Sequence, residues 1–338
     1  PGAPRLLEAI GMGGTAAWLG DGSLGLVAQL SGAPGKLAAD SFELTAGGLH
    51  ATGALLLDDA VGPPTLTGRI SAETLPLPLF DASGQDPLPL GELDGWNGQV
   101  KLAAEQVRAG PTTLLRHAQA ALTLNRGQLR LDDVSGMLAG GKLTGSAAFD
   151  TTAEPPALTL GLDVAGARIT EPLFDLPLDL AGGVAEGSAR LHAAGHAPAA
   201  LLATLGGDIR LDVRDGVLSG VALAGLGPAP ADDAVQAALA GGSTPFARVQ
   251  VAAHAEHGVV TFNQASLTAP EGSATLGGTL DLPGAAANLT LAFQPAAAGA
   301  PAIGLRLTGP FDAIHRTPEL AALTRWRAEH AATDPAKP

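Results

Sequence analysis

LTLNRGQLRLDDVSGMLAGGKLTGSAAFD, residues 122–150, decides the class of fold. Leu122 and Leu124 precede Asn125-Arg126-Gly127, and Leu129 and Leu131 follow it. Apolar residues two apart on either side of an Asn/Gly turn mark a β-hairpin with one apolar face, and the intervening Thr123 and Arg130 make the other face polar. The same period returns in Leu158, Leu160, Leu162 and Val164, with Thr159 and Asp163 between them. It returns again in Ile209, Leu211 and Val213, ahead of a predicted turn at Asp215-Gly216, then in Leu289, Leu291 and Phe293, and in Ile303, Leu305 and Leu307. Such strands read as an antiparallel meander, dry on one face and wet on the other.

Self-comparison supports a repeated unit. LTAGGLHATGALLLDD (44–59) aligns without gaps on LTAPEGSATLGGTLDL (267–282), matching Ala51 with Ala274, Thr52 with Thr275 and Asp58 with Asp281. LAGGKLTGSAAFDTTAEPPALT (138–159) repeats Thr52-Gly53, Asp58, Pro63-Pro64 and Leu66-Thr67 at a constant offset of 92 residues. The unit is strand, glycine turn, strand, Asp/Pro turn, strand. Helical patterns are short: 4–10, 198–205, 231–240 with Asp232-Asp233 at its start, and 318–330.

Composition narrows the function. The 338 residues include 46 Gly and 26 Pro but only 3% aromatics, with no Tyr, so the apolar mass is aliphatic and long helices are not the main architecture. A net charge of −14 repels phosphate backbones and anionic lipid surfaces, which excludes nucleic acid and makes any lipid contact apolar. With no cysteine there is no disulfide, thiolate metal site or cysteine nucleophile. The longest uncharged run, residues 282–305, contains Pro283, Pro295 and Pro301 and is no membrane helix. No basic segment followed by an apolar one opens the sequence, so any anchor is expected outside it.

The turn spacing predicts roughly 18–20 strands, a sheet about 90 Å wide at ~4.8 Å per strand, which a few short helices cannot cover. Sheets of more than about ten strands curl or split. The apolar face therefore closes as a sandwich or a barrel, or rolls into a trough whose interior meets something that is not protein.

Five stretches resemble the C-terminal region of the AsmA-like family of Gram-negative envelope proteins. They are LPLGELDGWNGQVKLAAEQVRAG (88–110), the hairpin series 122–150, GSARLHAAGHAPAALLATLGGDIRLDVRDGVLSGVAL (187–223), GGSTPFARVQVAAHAEHGVVTFNQASLTAPEGSATLGGTLDL (241–282) and IGLRLTGPFDAIHRTPEL (303–320). The resemblance divides the chain into an N-terminal part of a β-groove (1–87), the AsmA-like region (88–320) and a C-terminal helix and tail (321–338). It implies an architecture related to TamB and to chorein-type bridge-like lipid transfer proteins. That architecture is a long curved antiparallel meander forming a U-shaped, taco-like apolar groove. The implied setting is the periplasm, with an inner-membrane anchor outside this sequence, and the implied role is phospholipid transport or outer-membrane assembly. Phospholipid or another acyl lipid is the expected ligand and envelope proteins are possible partners. The groove lining would be the alternating residues named above, Leu122 through Leu307.

No catalytic pattern competes with this reading. There is no Gly-x-Ser-x-Gly elbow, and neither Gly35-Lys36 nor Gly141-Lys142 is followed by Ser or Thr as a phosphate loop requires. Gly11-Met12-Gly13-Gly14 follows a helical pattern rather than a strand, so it reads as a turn. His192 and His196 flank a strand end, where four residues span about 13 Å, too far for a shared metal. His254 and His257 point to opposite faces. The acid pairs Asp58-Asp59, Asp132-Asp133 and Asp232-Asp233 are expected at turns or a helix start, capping amides. No enzyme activity, cofactor or metal is expected. The competing class is a structural or adhesive secreted β-sandwich with a closed core and no lipid. A membrane barrel would need aromatic girdles this composition cannot build, and a solenoid a strict short repeat.

Overall fold

In a computed structural model of the chain, the described residues are 23–77, 81–88, 95–173, 176–226 and 230–331. The predicted helix at 4–10 and the glycine turn at 11–14 lie outside them. The protein is mainly β, with 17 strands in one open sheet. They are β1 (Leu24–Ala33), β2 (Lys36–Ala46), β3 (Leu49–Asp58), β4 (Thr65–Leu77), β5 (Asn97–Ala109), β6 (Thr112–Asn125), β7 (Gln128–Leu138), β8 (Gly141–Asp150) and β9 (Ala157–Ile169). Then follow β10 (Asp179–Ala194), α1 (Pro198–Ala203), β11 (Gly206–Ser219), α2 (Asp232–Ala240), β12 (Ser243–Glu256), β13 (Val259–Ala269), β14 (Gly272–Asp281), β15 (Ala286–Pro295), β16 (Ile303–Pro310), β17 (His315–Glu319) and α3 (Ala321–Ala331).

Strands pair with their sequence neighbours, antiparallel throughout the registered pairs except between β4 and β5, which run parallel with Thr65 opposite Asn97 and Leu77 opposite Ala109. Two-residue turns do the joining where the sequence placed them: Arg126 and Gly127, with φ of 45° and 83°, link β6 to β7. The Asp shared by the three repeats has one job in each. Asp58 accepts the amide of Ala60, Asp150 that of Thr152 and Asp281 that of Gly284, closing the turn after the strand.

Three expectations need correction. Asp132-Asp133 sits inside β7 at a register shift, with Asp133 at φ 53°, rather than in a turn. Asp215-Gly216 is likewise no turn: β11 continues through it, and Asp215 at φ 52° marks where the buried positions change from odd to even numbers, Val213 before and Leu218 after. Finally, residues 318–330 are not one helix. Pro318 and Glu319 finish the short strand β17, and α3 starts at Ala321.

The chain forms two compact units, the first comprising residues up to 165 with 190–204, the second 166–189 with everything from 205 onward. In the first, the 19-residue connection from β4 to β5 is tied to α1. Ala199 N donates to Gly84 O at 3.0 Å, and Leu88 N to His196 O at 2.7 Å. Gly195 N bonds Pro156 O, so α1 lies at the Thr65 edge of the sheet, opposite the end at Leu77. On a flat sheet six strand steps and the length of β4 would separate Leu77 from α1 by about 50 Å. The seven residues from Leu77 to Gly84 reach at most about 25 Å. The sheet of this unit must therefore twist and curl, as a twist of roughly 20–25° per strand over six steps requires. Gly68, at φ +152°, lets β4 press against β3: a Cβ there would stand 2.1 Å from the carbonyl oxygen of Ala54.

Candidate functional site

Register converts the alternation of single strands into rows that cross the first unit. One row runs Leu30, Ala39, Leu55, Gly68, Val100, Leu122, Leu131, Ala147, Leu160. The next runs Gly32, Leu37, Leu57, Leu66, Gly98, Leu124, Leu129, Phe149, Leu158. Leu162 continues a third through Gly145. No charged residue interrupts either complete row. On the opposite face the corresponding positions include Ser31, Thr67, Gln99, Thr123, Arg130 and Thr159.

This aliphatic face is not packed away. Leu122, Leu124, Leu129, Leu131, Leu158, Leu160 and Leu162 are all half-buried, and at the β1 end Leu26 and Leu30 are 64% and 65% exposed. Within the rows Val100 is buried, at 3% exposure; the other buried apolar positions among the described residues of this unit are few and mostly small, such as Ala46, Ala51, Ala72 and Ala104, which cluster with Val107.

The second unit carries the same chemistry under cover. Ala274, Phe293 and Ile303 stand in register across β14, β15 and β16, as do Leu276, Leu291 and Leu305, and Gly278, Leu289 and Leu307. Phe293, Ile303 and Leu305 are each 1% exposed, and Leu289, Leu291, Leu307 and Val213 are buried with them. Ile209 and Leu211 remain half-buried, beside Ala253 and Val251. The structure thus brings the predicted positions together on sheet faces, open in the first unit and covered in the second. The cover was not visible in the alternation, which is identical for an open and a closed face.

Charge sits away from these rows. Arg248 donates to Asp212 at 2.5 and 2.8 Å, and this bond, with Arg214 adding to it, holds the Asp212 carboxyl below its ordinary range. Glu186 in turn pairs with Arg214 at 2.8 Å and raises it. On β3, His50 lies between Glu43 at 3.1 Å and Glu73 at 3.7 Å, and the Glu43 bond raises its pKa. These are exposed ladders on a wet face. His254 bonds Asp208 at 3.0 Å, while His257 is in a turn at φ 50°. His192 is an exposed residue of β10, and His196 enters the tie to the β4–β5 connection through its carbonyl oxygen. Among the described residues no three metal-capable side chains gather, and no helix is long and apolar enough to cross a membrane.

The model of one protein family, described as the AsmA family, matches residues 81–265, more than half of the chain. No curated protein and no solved structure matches.

Proposed function

The chain belongs to the AsmA family, which is associated with the bacterial envelope, and from that footing we propose that its first unit binds the acyl chains of phospholipid along the curled aliphatic face. The observation that carries the reading is the pair of uncharged rows crossing nine strands, with their leucines half-buried or, at the β1 end, exposed. Exposed apolar faces of that extent are costly in water at about 25 cal/mol per Å² and mark a surface with a non-aqueous neighbour. Acyl chains match it in chemistry, being aliphatic and without polar groups to satisfy. A polar outer face leaves the unit soluble around such a cargo. The role is lipid transport or support of outer-membrane assembly. The expected setting is the periplasm, with the inner-membrane anchor in a segment outside this sequence. Direct work with envelope proteins at either end fits the same role.

A photo-crosslinking residue in place of Leu160 or Leu162 should capture lipid from phosphatidylethanolamine vesicles, whereas one in place of Thr159 or Asp163 should not. Equal capture from both faces, or from neither, would refute the proposal. The competing reading, a closed-core β-sandwich without cargo, draws on the covered face of the second unit, and it predicts no capture at Leu160.

A further inference from the structure

Among the described registers β17 pairs only with β16 and β1 only with β2, and these two end strands are built differently. β17 has five residues, contains Pro318, and turns Arg316 to the carbonyl oxygens of Ala240 and Gly220. A short strand with a proline and a charge is a blunted edge. β1 has none of these protections. Its ten residues, LGLVAQLSGA, include no charge and no proline, and eight of them are exposed. Leu26, Val27 and Leu30 are the most exposed large apolar side chains of any described strand.

The hydrogen-bond phase fixes which backbone groups that edge presents. Just before β1, Gly47 N donates to Ser23 O at 3.2 Å, which directs the odd-numbered residues of β1 toward β2. Just after it, Asp59 N donates to Gly35 O at 2.7 Å, so Gly35 faces β3 and Lys36 faces Ala33, giving the same phase at the other end. The extra residue at the register shift, Asp40, belongs to β2, so β1 alternates without interruption. Leu24, Leu26, Ala28, Leu30 and Gly32 therefore direct their N–H and C=O groups away from β2, and the same five carry the aliphatic face.

That set of five is self-complementary. With a second copy laid antiparallel and Ala28 opposite its own counterpart, Leu26 faces Leu30 of the copy and Leu24 faces its Gly32. All five residues then lie in hydrogen-bonded pairs, each pair exchanging two backbone bonds. A slip of two residues either way leaves one residue of the five unpaired, and a slip of one sets outward-directed residues against residues already bonded to β2. The two-fold axis stands perpendicular to the sheet, so both aliphatic faces stay on one side. On the wet side Val27 meets Gln29 and Gly25 meets Ser31, so no like charges oppose across the seam although each chain carries −14.

We propose that β1 is the interface through which two copies of this chain join, antiparallel about Ala28, into one sheet whose aliphatic face runs through both. The pairing is made by backbone in the plane of the sheet and leaves that face uncovered, so it stands or falls apart from the acyl-binding reading.

The chain has no cysteine, which lets disulfides read the register. Ala28→Cys should link to itself under mild oxidation, since a hydrogen-bonded pair sets its Cα atoms about 5.5 Å apart, within disulfide range. Leu26→Cys and Leu30→Cys should each fail alone, their own counterparts lying about 14 Å away, and should link when the two variants are mixed. In sedimentation velocity the wild type should pass from monomer to dimer as concentration rises, and Ala28→Pro should stay monomeric at the same concentrations, because it removes an outward N–H and no bond to β2. A wild type that remains monomeric overturns the proposal: free exchange of its Leu26 and Leu30 amides would leave the edge to a different protein, and slow exchange would show another part of the same chain on it. A dimer in which the mixed variants do not link lies on another surface and overturns it as well, as does one in which Leu26→Cys links to itself as readily as to Leu30→Cys. Should Ala28→Pro fail to fold, the mixed cysteine pair decides.

Discussion

A carboxylate placed on the same chemical row of each unit distinguishes an open face from a closed one. Leu160 is half-buried, so Leu160→Asp forfeits about half the 1.5–3 kcal/mol of a buried leucine, near 1 kcal/mol, and the new carboxylate stays hydrated. Leu305 is 1% exposed between Leu291 and Pro318. Leu305→Asp loses the whole burial term and also strands a carboxyl without partners, for a total of roughly 4–8 kcal/mol. Burial would raise that carboxyl's pKa and keep it protonated, which lessens the cost without removing it. Against a typical stability of about 5–15 kcal/mol, the second substitution threatens its unit and the first does not. In melting temperature the contrast is about 2–4 °C per kcal/mol for units of this size. Trp96 reports on the first unit and Trp326, in α3, on the second, so two single-tryptophan backgrounds, Trp18→Phe with Trp326→Phe and Trp18→Phe with Trp96→Phe, follow each separately by fluorescence. A loss for Leu160→Asp as large as that for Leu305→Asp would show that the first unit's face is a packed core and would refute the reasoning.

Four further outcomes are expected. Gly68→Ala should destabilise the first unit by about 1–3 kcal/mol in denaturant, because its φ is disfavoured for alanine and the new Cβ meets Ala54 O; a neutral result would mean β4 can straighten. Arg248→Met should move the Asp212 titration, followed by carboxyl NMR, upward toward the ordinary range. Because that pKa is depressed in the folded state, whatever the pair contributes is present above the unfolded value of about 3.9 and lost as pH falls through the folded one. His50 has the opposite sign: its raised pKa makes its contribution complete below 6.5 and lost as pH rises, and Glu43→Gln should lower the midpoint seen by NMR. Val27→Lys on β1, where Val27 is 73% exposed, should leave stability within about 0.5 kcal/mol and reduce self-association in size-exclusion chromatography.

The strands and their turns were legible because period-two alternation and Arg126-Gly127 are local signals. Asp132-Asp133 and Asp215-Gly216 misled for the same reason. A residue with positive φ looks alike in sequence whether it reverses the chain or kinks it, and only the neighbouring strand's register tells the two apart. β17 was hidden inside a helical pattern since Pro318 suits both a helix start and an edge strand, and its pairing with β16 decides. The boundaries of α2 could be read from Asp232 and Gly241. Its bonds to Arg316 and Arg327 could not, as those two residues lie more than 75 residues away from their partners in the chain.

The one parallel pairing has a consequence for how the repeats lie. In a pure meander successive turns alternate between the two margins of the sheet, so the turn after β3 and the turn after β8, five strands on, would face opposite ways. The parallel step from β4 to β5 inserts a single reversal of phase between them. Following the registers from Asp58 opposite Thr65, through Asn97 and Asn125, to Gln128 opposite Asp150 shows that both repeated aspartates end on the same margin. A block with an odd number of strands can be copied in tandem without inverting its ends only if it carries such a crossover, and the 92-residue copy here does.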